Sequence, residues 1–309
     1  MLFNKNNNGS VELQQLTGIF AASNDYSVIA AEVDNAIQAV SACVSSAVVQ
    51  SAEGMYEAGT DNPLVDKVRL PVAVLAVSRY SRNNLVSHED SGSKIKVDTN
   101  EKIPFEWMID RDEQAQRERY YRSLDALYGY LENSNNTAWQ ASETRKLVAG
   151  SIIKSLNQLE LVYPIDGSYY VYYMLQGLIV ECQTRLKKMV GDDNWKAMTD
   201  GTATEKSNAL LPPCRRWAVI SALIKAVRRW SIEVFPREIA RRFSPSYQGN
   251  RSSRVATQQE IEAYVNGLEA QLEEIQDEMA EILSDGVNPF EHFDPMPHGH
   301  RHNKFFSAQ

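Results

Sequence analysis

The order of elements in this chain is written twice, and that doubling constrains the fold more than any single motif. Asn62-Pro63-Leu64 leads into an apolar run from Val68 to Tyr80, and Asn208-Ala209-Leu210 leads into another from Arg215 to Val227. Laying Leu64 on Leu211 sets an offset of 147 residues. A polar, turn-rich stretch follows each run, Asn83 to Lys102 and Ser244 to Arg254. Each half then closes on an amphipathic helix, with Leu124, Leu127 and Leu131 in the first and Leu272, Ile275 and Met279 at the same spacing in the second. A period near half of a 309-residue chain indicates duplication of one compact unit rather than a solenoid of short repeats. The expected fold is mainly α: a duplicated helical-bundle unit with a projecting β-hairpin and an extended C-terminal tail.

The expected organisation is an N-terminal arm (1–20), a first helical unit (21–135) with its hairpin at 83–102, a second helical unit (136–284) and a tail (285–309). Its residues 1–10 are Asn-rich and read as loose. Val28 to Val49 reads as one helix, since Ile29, Val33, Ile37, Val40, Val44 and Val48 recur at steps of three and four. Leu85-Val86-Ser87 and Lys94-Ile95-Lys96-Val97 are β-prone runs flanking a turn-forming segment, hence the hairpin. Ile103 to Trp107 returns the chain to the body, Asp110 to Leu131 forms a charged helix, and Asn133 to Thr137 links the halves. A helix near Ser142–Leu159 and an aromatic-rich one from Tyr169 to Val190, stopped by Gly191, follow. Pro212-Pro213 is expected to open the basic helix, since proline is tolerated in a first turn, and Pro236 to interrupt it. Thr257 to Leu283 carries a heptad-like seam (Ile261, Tyr264, Leu268, Leu272, Ile275, Met279, Ile282), suited to a core helix or to oligomerisation.

Charge is unevenly spread. The net charge is −8, yet Arg215 to Arg242 holds eight cations against two anions. A basic band on an acidic body suits an acidic partner or a DNA backbone. The competing reading is an amphipathic core helix, with Trp217, Ile220, Ile224 and Val227 inward and the cations paired to the Glu-rich segment 260–281; that reading is favoured, because the acidic surface it needs is already in the chain. Three isolated cysteines (Cys43, Cys182, Cys214) without a CxxC pair point to a reducing compartment. The N-terminus lacks a signal-peptide core and no apolar run is long enough to span a bilayer, so a soluble, cytoplasmically made protein is expected.

No catalytic, cofactor-binding or metal site is nominated. No phosphate-binding glycine loop, dinucleotide fingerprint or HExxH pair occurs. Gly191-Asp192-Asp193 reads as a helix stop followed by an Asp cap rather than a polymerase-like acidic turn. Ser87, His88 and Asp90 are too close in sequence to form a triad. The His292, His298, His300 and His302 cluster has the composition of a metal-binding tract, but on a Pro/Gly frame it reads more simply as a polar tail packing on a neighbour.

The residues Val68-Arg69-Leu70-Pro71-Val72-Ala73-Val74-Leu75-Ala76, Asp90-Ser91-Gly92-Ser93, Pro104-Phe105-Glu106-Trp107 and Ser123-Leu124-Asp125-Ala126-Leu127 resemble an uncharacterised protein family of Bacteroidetes phages and prophages, including crAss-like phages. Tyr163-Pro164-Ile165, Gly191-Asp192 and the helix after Leu210 resemble its second half. Proteins of this kind are similar to head–tail connector (neck ring) proteins of tailed phages. The resemblance implies a structural, non-enzymatic virion protein in the neck, in a twelve-fold homo-oligomeric ring joining portal to the next neck or tail protein around passing DNA. Hairpin residues Ser87, His88, Glu89, Asp90, Ser91, Lys94 and Lys96, with tail aromatics Phe290, Phe293, Phe305 and Phe306, are the candidate interface. The alternative is a DNA-binding accessory protein that contacts phosphates from the basic helix 215–242 through Arg228, Arg229, Arg241 and Arg242.

Overall fold

The structure is a computed structural model describing residues 1–84, the strand residues 87–89 and 92–94, and residues 105–200, 202, 204–229 and 257–284. It is mainly helical, and its buried apolar side chains form one continuous core from Leu2 to Met279.

The first 20 residues are packed, not loose. Leu2 and Phe3 are buried, and Gly9–Thr17 forms helix α1, whose Leu13 is also buried. Asn4 and Asn7 adopt positive φ, which asparagine tolerates better than most residues, and fold the chain back on itself. Asn4 accepts from the Gly9 amide at 3.0 Å. Arg69 clamps the segment: it donates to the Leu2 carbonyl at 3.0 Å, pairs with Glu12 at 3.2 Å and lies over the Phe3 ring. Gly9 has no room for a side chain, because a Cβ there would overlap the Tyr26 ring.

The expected helix Val28–Val49 is broken in two. A 3-10 turn at Tyr26–Val28 precedes α2 (Ala30–Val44), and α3 (Ser46–Ala58) starts after Ser45. Ser45 has φ 126° and ψ 150°, a region that L-residues rarely enter, and its side chain caps α3 at the Val48 amide. At the break the Tyr128 hydroxyl donates to the Cys43 carbonyl at 2.7 Å, so a carbonyl at the end of α2 is held by another element.

α4 (Pro63–Asn83) begins as its sequence dictates, with the Asn62 side chain accepting from the Leu64 amide and Pro63 in the first turn. Its buried residues run nearly all round it, from Leu64 to Val77. That makes it a central helix, and it packs most extensively on α2 and on α5 (Glu106–Asn133). In the hairpin stretch, β1 (Ser87–Glu89) and β2 (Gly92–Lys94) pair antiparallel, Ser87 opposite Lys94. The ladder lies closer to the turn than the two β-prone runs, and such a short one is marginal by itself. Residues 85, 86, 90, 91 and 95–104, and with them Asp90, Ser91 and Lys96, lie outside the described residues.

Past the linker, α6 (Thr137–Gln140) buries Trp139 against Tyr128 of α5 and Tyr173 of α9 (Tyr169–Val190), which ties the two halves through aromatic contacts. The helix expected near Ser142–Leu159 is instead α7 (Glu143–Gly150) and α8 (Leu156–Glu160). Between them Ile152 and Ile153 are buried, and the buried Gln183 side chain accepts from the Ile152 amide while donating to the Gly150 carbonyl at 2.9 Å. Side chains from α9 therefore supply the hydrogen bonds that the helix gives up.

Gly191 (φ 83°) stops α9, as its sequence indicates, but no Asp caps α10 (Asp192–Thr199): Gly191 is its N-cap, without a side-chain hydrogen bond, and Asp192 and Asp193 lie in the first turn. α11 (Glu205–Arg229) starts earlier than expected and carries Pro212 and Pro213 inside it, although proline in a helix interior costs about 3 kcal/mol. The extra turns bury Ser207 and Leu210, and Pro213 is itself buried. α12 (Gln258–Leu283) has a full capping box between Thr257 and Glu260. Its heptad seam faces the core: Leu268, Ile275 and Met279 are buried, Ile261, Tyr264, Leu272 and Ile282 are partly buried against it, Val265 off the seam is buried as well, and α12 packs on α11. α11 packs in turn on α9. Segment 230–256, with Pro236, and the tail 285–309 lie outside the described residues.

Candidate functional site

A groove of about 280 Å³ lies between the last turns of α4 and the first turns of α5. Ser78, Ser81 and Arg82 line it from α4, and Met108, Ile109, Asp112, Glu113 and Gln116 from α5, positions one helical turn apart on each helix. Ile19 completes the wall. Gly18 ends α1 in the left-handed region, and the Arg119 guanidinium donates to the Leu16 and Thr17 carbonyls at 2.8 and 2.5 Å, which fixes the chain just before Ile19.

The rim is apolar and open. Ile19 is 48% exposed and Met108 42%, and the adjacent Phe105 and Trp107 are 67% and 57% exposed. Phe105 sits at the N-cap of α5 and its carbonyl accepts from the Met108 amide at 2.8 Å. Ile103 to Trp107 was expected to return the chain to the body; α5 starts there at Glu106 and packs on α4, while the Phe105 and Trp107 side chains stay exposed. Full burial of such a side chain is worth about 1.5–3 kcal/mol, so this rim is a ready contact surface.

The polar part of the groove is incompletely matched. Gln116 donates weakly to Asp112 at 3.5 Å, while its Oε1 is buried with no hydrogen-bond partner among the described residues. Arg82 approaches Glu113 at 3.6 Å. Asp112 is exposed and has no cation within ion-pair distance among the described residues. The groove can accept a donor at Gln116 and a positive charge at Asp112.

The basic helix is engaged within the chain wherever it is described. Arg216 pairs with Glu278, Arg228 with Glu269 at 2.7 Å, and both Lys225 and Arg229 with Glu181 at 2.8 and 2.6 Å. Arg215 donates to the Ile152 carbonyl. Hydrogen bonds from Arg229 and Lys225 hold the Glu181 carboxyl at about 2, well below its ordinary value. Trp217, Ile220 and Ile224 face the core, so the amphipathic reading describes this helix. Arg241 and Arg242 lie outside the described residues, as do Phe290, Phe293, Phe305, Phe306 and the tail histidines. Ser87, His88, Glu89 and Lys94 are placed on the two strands by their backbone alone.

Among the described residues no group of acidic, histidine and cysteine side chains is arranged to hold a metal, and no helix is long and apolar enough to cross a membrane. The three cysteines are free thiols; burial raises Cys43 and Cys182 above the ordinary thiol value and Cys214 to about 12.

Sequence reasoning missed the groove. Its α4 residues look like the polar end of a helix, and Met108 looks like the first apolar position of a charged one. The available signal was Phe105, Trp107 and Met108 crowded within four positions, too close to share one helical face.

Residues 41–147 match the model of a family of unknown function (DUF6712). That stretch runs from the end of α2 into α7 and contains every groove residue except Ile19. No curated protein and no solved structure matches the chain.

Proposed function

We propose that this protein is a structural subunit of the head–tail connector of a tailed phage, forming a ring between portal and tail around the DNA path. The single observation that carries the reading is the set of exposed apolar side chains at the start of α5: Met108, which lines the groove with exposed Ile19, and Phe105 and Trp107 beside it in sequence. Such side chains cluster on surfaces that another protein covers. A groove and rim on one face meeting a different part of the next copy make a heterologous contact, which closes into a ring when the rotation permits. The resemblance of the Asp90–Ser93 and Pro104–Trp107 stretches to the phage family supports the assignment.

The duplicated unit belongs to the same proposal. Its units are α2 to α5 and α9 to α12: the long pair α4 and α5 corresponds to α11 and α12, while α9, of 22 residues, is longer than α2, of 15, and α10, of 8, is shorter than α3, of 13. In each set the third helix packs on the first and the fourth. Two such units give a subunit two related faces along the ring.

Native mass spectrometry of the full chain, alone and mixed with a portal protein of the same phage, tests the reading. A many-copy species, alone or on the portal, is expected. A monomer that ignores the portal but shifts on duplex DNA would replace the ring with the DNA-binding alternative.

A further inference from the structure

We propose that the α4–α5 groove is the receptor for the C-terminal segment Arg301–Phe306 of an adjacent copy, with Phe305 or Phe306 seated on the apolar rim and Lys304 facing Asp112. This rests on the ring reading and names the partner of its site.

The choice of occupant follows from chemistry and reach. At about 280 Å³ the groove is smaller than the ~300–1,000 Å³ of drug-sized ligand sites and suits the side chains of a peptide. Its exposed Ile19 and Met108 suit an apolar group, Asp112, with no cation beside it among the described residues, suits a positive charge, and Gln116 Oε1, with no partner among them, an N–H donor. The chain carries two aromatic pairs in its tail. Phe290 and Phe293 are flanked by Glu291 and Asp294, whose charge the groove carboxylates would repel. Phe305 and Phe306 directly follow Lys304, with Arg301 three residues before it, so only this pair matches the groove in both apolar character and charge. Phe305 lies 21 residues beyond Ser284, a span of up to about 70 Å at ~3.3 Å per residue, enough to leave its own subunit. Donor tail and acceptor groove are different parts of one chain, so tail-to-groove contact repeats head to tail, as a ring requires.

The test uses the full chain with a photoreactive benzoylphenylalanine at position 305, mixed with an equal amount of ¹⁵N-labelled chain lacking the probe, and irradiated. Cross-links from probe to labelled chain at Ile19 or within residues 105–116 are expected. Lys304→Glu, which alters no described contact, is expected to cut their yield roughly tenfold, as is Met108→Asp on the rim, the loss of one anchor. Cross-links mapping elsewhere, confined to the probe-bearing copy, or unchanged in Lys304→Glu would overturn the proposal. Native mass of the same samples separates the two levels: rings without groove cross-links discard the docking and keep the ring, whereas monomers without cross-links discard both.

Discussion

The Arg228 guanidinium on α11 lies 2.7 Å from a Glu269 carboxylate oxygen on α12, so a residue that reads as a phosphate contact is already neutralised by the neighbouring helix. Both side chains remain partly exposed, and exposed pairs of this kind contribute about 0–1 kcal/mol. Replacing Arg228 by Ala is therefore expected to shift the urea midpoint only slightly. It is also expected to leave any retention of duplex DNA unchanged in a gel-shift titration at low salt. A clear loss of DNA binding in that variant would favour the DNA-binding alternative.

Glu181 sets an acid limit. Its pKa in the folded protein is about 2, against an ordinary value of 4.5, because Arg229 and Lys225 hydrogen-bond its charged form. A depressed folded-state value means its contribution is present above pH 4.5 and is lost as pH falls toward 2. Thermal unfolding followed by circular dichroism from pH 6 to pH 2 should show the melting temperature falling more steeply below pH 4.5 in the parent than in Glu181→Gln.

Glu132 is a hub between the halves. It accepts from the Trp139 indole at 2.9 Å and from the Tyr173 hydroxyl, and it pairs with Arg145 at 3.2 Å. Trp139 is fully buried, and burial together with the adjacent carboxylate raises the Tyr173 phenol well above its ordinary value. Glu132→Ala strands two buried donors and a cation, a loss of about 2–4 kcal/mol. Chemical denaturation should show that loss, with Glu132→Gln falling between the variant and the parent because its amide oxygen still accepts.

Ser45 is the position where glycine should improve the protein. Its φ of 126° costs on the order of 1–3 kcal/mol for a residue with a Cβ, while exchanging a Ser N-cap for Gly costs a few tenths. Ser45→Gly is expected to gain about 1 kcal/mol in chemical denaturation. Ser45→Ala keeps the strain and loses the cap, so it is expected to fall below the parent.

The amino-acid sequence by itself determined the helices whose ends are set by neighbouring residues. The Asn62-Pro63 start of α4, the Tyr169–Gly191 limits of α9 and the Thr257–Glu260 box of α12 are signals completed within one turn, so they are readable before any packing is known. The mainly helical class follows from the same three-and-four periodicity. Tertiary structure decided what depends on distant partners. The break at Ser45 goes with a hydroxyl from Tyr128, and the interruption at Ile152 and Ile153 goes with the amide of Gln183. The Asn-rich start is ordered by Arg69, and the cations of α11 are paired by acids on α9 and α12. The groove arises only where the end of α4 and the start of α5 meet Ile19 from a third segment. Each of these outcomes is a hydrogen bond, ion pair or contact between residues that the chain separates by tens of positions, and local propensity carries no record of such meetings.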